Sequence, residues 1–140
     1  MRVSEIMTRN PETLSSDTPI QKIALEMEKL DCGFVPIAKD GQLLGTITDR
    51  DIAIRAVAKG KDPKTTTAEE IMTREHFTIA EDEDVNKAAD EMCQKQIRRL
   101  VVIDNNHRIC GVLSLGDIAT KCQDHQLDAE IIETVSEKAA

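Results

Sequence analysis

The pentapeptide Glu5-Ile6-Met7-Thr8-Arg9 returns unchanged as Glu70-Ile71-Met72-Thr73-Arg74, 65 positions later in a chain of 140 residues. A repeat at fixed period constrains the fold more than any single motif, because two copies of one supersecondary unit must bury equivalent faces. The match extends beyond five letters. Asp17 and Asp82, Lys22 and Lys87, Ala24 and Ala89, Glu26 and Glu91, and Met27 and Met92 keep the same offset. Past the following hairpin the offset becomes 66, aligning Gly45 with Gly111, Asp51 with Asp117 and Ile52 with Ile118, so the second turn holds one extra residue.

Each copy reads as the same succession of elements. In the first, a short β-type stretch at Thr13-Leu14 precedes Thr18, a suitable N-cap, with Pro19 at the first helical position. Ile20, Ile23, Ala24, Met27 and Leu30 then form a stripe of helical period. Phe34–Ala38 and Leu43–Thr48 read as a hairpin about Lys39-Asp40-Gly41-Gln42, and a second helix from Asp49 stops at Gly60. The second copy repeats this with Phe77-Thr78-Ile79, the stripe Val85, Ala88, Ala89, Met92, the strand Leu100–Ile103, the turn Asp104–His107, the strand Ile109–Ser114 and a helix through Ile118. The expected fold class is α/β (α+β), two β-α-β-β-α repeats: the first over 1–60, a polar linker over 61–67 and the second over 68–125. A tail over 126–140 has Leu127, Ile131 and Val135 at helical spacing. Some 60 residues bury too little surface to be comfortable alone, so the repeats are expected to pack together.

Composition removes several function classes. A formal charge of −8 argues against broad contact with nucleic acid or an anionic membrane. Phe34 and Phe77 are the only aromatic residues, too few to stack single-stranded bases, so aliphatic side chains would have to hold any base. The N-terminus has no signal-like apolar run and no stretch approaches a membrane span, which points to the cytoplasm. Cys32, Cys93, Cys110 and Cys122 have no C-x-x-C spacing and read as reduced packing residues. His76, His107 and His125 form no ligand cluster, and Glu81-Asp82-Glu83-Asp84 reads as the acidic start of a helix rather than acid/base machinery. Neither a metal site nor a catalytic residue is expected. The paired methionines, Met7 and Met72 and again Met27 and Met92, read as filling between the halves.

One motif does carry chemistry, and it occurs twice. Thr48-Asp-Arg-Asp51 and Ser114-Leu-Gly-Asp117 each place a hydroxyl where a strand runs into a helix, beside free amides that can receive a phosphate. Asp51 and Asp117, one turn on, can accept hydrogen bonds from a ribose diol. Gly45 and Gly111 let a backbone or a ligand approach closely. The same spacing is a helix capping box, and by spacing alone both readings stand.

The duplicated E-I-M-T-R opening, the strand with Val35-Pro36, and the strings Gly45-Thr-Ile-Thr48-Asp-Arg-Asp51-Ile and Gly111-Val-Leu-Ser114-Leu-Gly-Asp117-Ile together resemble a tandem pair of CBS (cystathionine beta-synthase) domains of the stand-alone bacterial and archaeal type. The resemblance covers Val3 to Asp124. It implies two small sheets packed about a pseudo-two-fold axis, with two clefts that bind adenosyl ligands such as AMP, ADP, ATP or S-adenosylmethionine. It implies a regulatory module rather than an enzyme, with no required cofactor, homodimeric and acting on an unidentified protein. A ligand-free interaction protein working through its surface or tail is the alternative. The implied ligand contacts are Thr48, Asp51, Ser114 and Asp117, with Thr8 and Thr73 at the cleft mouths and Val35 and Pro36 on the strand. Arg50 and Arg55 are further cation candidates. Arg98-Arg99 stands where the first repeat has Cys32-Gly33. In the family, residues there can reach phosphates held by the opposite repeat, which implies a tighter Asp51 cleft. Val101 in place of a second proline and Gly116 inside the second motif depart from the pattern.

Overall fold

The computed structural model describes residues 1–75 and 77–122; the helix expected over 126–140, His76 and His125 lie outside the described residues. In chain order the elements are α1 (Val3–Ile6), β1 (Thr8–Arg9), α2 (Ile20–Leu30), β2 (Phe34–Lys39), β3 (Gln42–Thr48), α3 (Asp49–Asp51) running on as a π-helical segment (Ile52–Val57), α4 (Ala68–Ile71), β4 (Thr78–Ala80), α5 (Val85–Lys95), β5 (Arg99–Ile103), β6 (Ile109–Ser114) and α6 (Leu115–Lys121). This is the expected mixed α/β class with two sheets.

The chain divides into two compact units, and the division does not follow the repeats. Met1–Pro11 joins Phe77–Ala140, while Glu12–His76 forms the other unit and so contains the second copy of the pentapeptide. Each lead-in segment is built into the unit that holds the other repeat. We call the two the second-repeat unit and the first-repeat unit.

In the second-repeat unit the sheet order is β1-β6-β5-β4, with β1 antiparallel to β6 and β4 parallel to β5. The first-repeat unit has the same plan in fewer bonds. Its hairpin β2-β3 is flanked by single-residue bridges, Thr73 against Thr46 and Leu14 against Ile37. Applying the sequence offsets, Thr73–Thr46 corresponds to Thr8–Val112 and Leu14–Ile37 to Ile79–Val102. The β-type stretch expected at Thr13-Leu14 is therefore one bridging residue and not a strand.

The pentapeptide accounts for its own repetition letter by letter. Glu5 Oε2 accepts from the Arg2 amide at 2.6 Å and Glu70 Oε2 from the Thr67 amide at 2.7 Å, each closing the start of its short helix. That amide, followed by the Thr67 hydroxyl and Lys61, holds the Glu70 carboxyl below the usual carboxylate range. Ile6 and Ile71 are 3% and 1% exposed. Met7 packs over Gly111 and Met72 over Gly45, where a β-carbon would overlap either sulfur. The methionines thus lie in separate cores: Met7 and Met92 in the second-repeat unit, Met27 and Met72 in the first-repeat unit, rather than in a shared filling. The glycines admit a protein segment, as one of the two readings of them required.

Local starts and stops mostly follow the sequence. The β2–β3 turn has positive φ at Asp40 (52°) and Gly41 (79°), the combination that suits a tight hairpin. Gly60 at φ 68° ends the segment after Thr48. Asp84 caps α5 by accepting from the Asn86 amide at 2.8 Å, and that bond lowers its pKa. Three details differ. Pro19, not Thr18, is the N-cap of α2, and Thr18 is buried with its hydroxyl 3.0 Å from that of Ser15. The capping is done by the linker: the Thr66 carbonyl accepts from the Ile20 amide at 2.9 Å and the Pro63 carbonyl from Gln21 at 3.0 Å. The helix after Thr48 widens to i→i−5 bonding, with the Ala58 amide donating to the Ala53 carbonyl, whereas α6 stays α-helical.

Candidate functional site

The two T/S-x-x-D motifs fold into the same reciprocal pair. Thr48 Oγ1 accepts from the Asp51 amide at 3.1 Å and Asp51 Oδ2 accepts from the Thr48 amide at 2.9 Å. The bonds at Ser114 and Asp117 are 3.0 and 2.9 Å. The capping reading is thereby realised in both repeats. It engages one carboxylate oxygen of each aspartate, and each side chain remains about 15% exposed.

The second oxygen faces a cation one helical turn on. Arg55 Nε lies 3.8 Å from Asp51 Oδ1, and Lys121 Nζ lies 3.1 Å from Asp117 Oδ1. These cations also hold the exchanged lead-in segments. Arg55 donates to the Ile71 carbonyl at 2.9 Å and to Thr73 Oγ1 at 3.1 Å; Lys121 donates to the Ile6 carbonyl at 3.0 Å. Thr48, Asp51, Arg55 and Thr73 thus form one network. Lys121 was missed by sequence reasoning, although the 66-residue offset pairs it with Arg55.

The remaining candidates separate by unit. Val35 and Pro36 are buried on β2, and Pro36 stands opposite Thr46, the residue that bridges to Thr73. Arg50 is exposed. In the second-repeat unit, Arg98, Arg99 and Ser114 line a depression of about 340 Å³ together with Leu115 and Gly116. Register explains the grouping: Arg99 is paired with Ser114, and the Leu115 amide donates to the Arg98 carbonyl at 2.8 Å. Thr8, on β1 opposite Val112, is exposed. The sequence reading set the arginine pair against Cys32-Gly33 and assigned it to the other junction; by register the pair matches Gly33-Phe34, since Arg99 faces Ser114 as Phe34 faces Thr48, and within its own unit it flanks Ser114.

Among the described residues no group of three or more His, Cys, Asp and Glu side chains is placed to hold a metal, and no helix is long and apolar enough to cross a membrane. The cysteines are unpaired thiols, with Cys32 exposed and Cys93, Cys110 and Cys122 partly buried. Burial, with the Glu81 and Asp104 carboxylates behind it, pushes the Cys110 thiol up to about 11. At pH 8 only about one molecule in a thousand then carries that thiolate. Cys32 is expected to be labelled by a disulfide reagent well before Cys110, read by mass mapping after partial reaction; the reverse order would contradict the burial of Cys110. The raised value also makes unfolding easier as pH climbs from about 8.5 towards 11, because the unfolded thiol releases its proton first.

Comparison with known proteins gives the family of this duplicated mixed α/β chain. The CBS domain family model matches residues 3–57 and 68–124, and the chain belongs to that family. It is 33% identical over 134 residues to the CBS domain-containing protein YhcV of Bacillus subtilis, covering 96% of this chain and 94% of that one. Among solved structures, the CBS domain pair of protein MJ0100 in complex with 5′-methylthioadenosine and S-adenosyl-L-methionine is 35% identical, with a TM-score of 0.76 over 85% of this chain and 93% of that chain. The CBS domain protein PAE2072 of Pyrobaculum aerophilum complexed with AMP is 28% identical, with a TM-score of 0.79 over 95% and 99%.

Proposed function

We propose that this chain is a regulatory module that binds an adenosyl ligand at its two β–α junctions. The observation that carries this reading is the twin constellation of Thr48 with Asp51 and Ser114 with Asp117, each a capping carboxylate whose second oxygen faces a cation and has lone-pair capacity for a further donor. A ribose hydroxyl is a fitting donor to that oxygen, and capping and ligand contact are compatible roles for the same group. The ligands of MJ0100 and PAE2072 support the class, AMP or S-adenosylmethionine, without choosing between its members. Arg98 and Arg99 beside Ser114 suit a ligand with phosphates. Thr8, Thr73, Val35, Pro36, Arg50 and Arg55 complete the proposed contacts.

The module acts by changing the pose of a dimer or of a regulated protein rather than by catalysis. Such a ligand regulates only by the difference in its affinity for the competing states. We place this activity in the cytoplasm.

Isothermal calorimetry with AMP, ATP and S-adenosylmethionine tests the proposal. We expect binding by at least one, weakened roughly tenfold or more by Asp51→Ala or Asp117→Ala, since hydrogen bonds to charged groups contribute about 1.5–3 kcal/mol. No heat and no melting shift at millimolar concentration would leave the interaction reading in its place. The junctions carry different cations, so the two losses should differ; equal losses would remove the idea of unequal sites.

A further inference from the structure

We infer that Arg55 and Lys121 are positioning residues that couple the charge on each junction aspartate to the hold on an exchanged lead-in segment. The network is continuous in each unit. In the first-repeat unit it runs from Asp51 Oδ1 through the Arg55 guanidinium to the Ile71 carbonyl and the Thr73 hydroxyl. In the second-repeat unit it runs from Asp117 Oδ1 through the Lys121 ammonium to the Ile6 carbonyl.

The accepting carbonyls occupy a telling place. Ile6 and Ile71 end α1 and α4, short helices whose last carbonyls lack a following turn to bond. A cation there satisfies one of them and complements the negative helix end. Immediately beyond, the chain turns extended at Met7 and Met72, covers a glycine and pairs with the sheet. The cation therefore grips the lead-in at its bend. The aspartate holds the cation, and its own backbone cap fixes the aspartate. Removing the carboxylate charge leaves the cation with carbonyl partners alone.

Each gripped segment continues covalently into the other unit, Met1–Pro11 into Glu12 and the second lead-in into Phe77. Whatever occupies Asp51 or Asp117 thus acts on the chain that links the units. This use by a ligand rests on the binding reading above; the coupling itself rests on the ion pairs and hydrogen bonds alone.

Hydrogen exchange of the full-length protein tests the two apart. Asp51→Asn keeps a cap acceptor and removes the charge. We expect it to speed exchange at Met72 and Thr73 about twofold to fivefold, the range of a partly exposed ion pair, while Thr8 to Asn10 stay unchanged. Asp117→Asn should do the converse. Arg55→Met should reproduce the Asp51→Asn effect and make it non-additive in the double variant, and Arg55→Lys, the residue type used at 121, should restore the wild-type rates. Unchanged rates at Met72 and Thr73 in Asp51→Asn, or equal acceleration of both lead-ins, would overturn the coupling. With AMP as probe, calorimetric heat without any exchange change at either lead-in overturns its use by that ligand. Absence of heat tells against the binding reading, and the asparagine variants still decide the coupling.

Discussion

Replacing Leu113 by alanine is expected to destabilise the protein by about 2–5 kcal/mol and, in the same sample, to speed amide exchange across Thr8–Asn10. Leu113 is fully buried in β6, and its neighbours on that strand, Val112 and Gly111, pair with Thr8 and Arg9. The Asn10 amide adds a bond to the Cys110 carbonyl at 3.1 Å. Truncation removes the transfer free energy of the lost carbons and leaves a void the sheet fills only partly. The local consequence reaches a segment about a hundred residues away in sequence. Ile47, its counterpart by offset and equally buried, lies in β3 beside Thr46 and Thr48. Ile47→Ala should cost a similar amount and loosen Met72 and Thr73 instead, because the Thr73 amide donates to the Thr46 carbonyl at 2.9 Å. If Thr8–Asn10 respond to Ile47→Ala and not to Leu113→Ala, the lead-ins are not exchanged.

The second large effect is expected at Gly111 and Gly45. A β-carbon at Gly45 would lie 2.8 Å from the Met72 sulfur and 2.8 Å from the Thr73 carbonyl oxygen. At Gly111 it would overlap the Met7 sulfur and lie 3.0 Å from the Thr8 carbonyl oxygen. A methionine side chain can turn away; the carbonyl cannot without giving up sheet pairing. Each alanine substitution should therefore cost about 1–3 kcal/mol in urea unfolding, the usual range for overpacking. Met7→Ala made together with Gly111→Ala should recover part of the loss, with a coupling of about 0.5–3 kcal/mol. Alanine variants that unfold at the wild-type midpoint would show that the cover is not close. At both positions glycine answers to the lead-in strand and its methionine.

Much of this arrangement was legible because the repeat keeps its register. Helices, hairpins and the T/S-x-x-D junctions fell where the apolar periods and turn residues put them, although Ala24 and Leu30 of the first stripe are exposed. The exchange of lead-ins was not legible, since Met7 and Met72 look alike and nothing local tells which glycine either one covers. The N-cap of α2 was misplaced for a related reason. Thr18-Pro19 has good capping chemistry, but carbonyls from Pro63 and Thr66, brought in by the fold, serve the first helical amides instead. The left-handed helix ends at Asp31 and Gln96, φ 49° and 55°, carry no glycine to announce them. In the candidate site, Thr48, Asp51, Ser114 and Asp117 were visible as a spaced motif. Lys121 was overlooked because a lysine one turn into a helix looks solvated until the carbonyl of Ile6 is placed beside it. Arg55 appeared as a cation available to ligand, and it is also engaged by its own unit.

The crossed lead-ins bear on how such a chain can be inherited. Severed at its linker, it would give two pieces, each carrying the lead-in that pairs with its sibling's sheet. The piece from Thr67 onward would expose the flank of β6 that β1 normally closes, a row of backbone donors and acceptors open to any extended chain. The uncovered Gly111 would lie along that flank. In the intact chain each sheet is thus closed by a segment that belongs, in sequence, to the other copy.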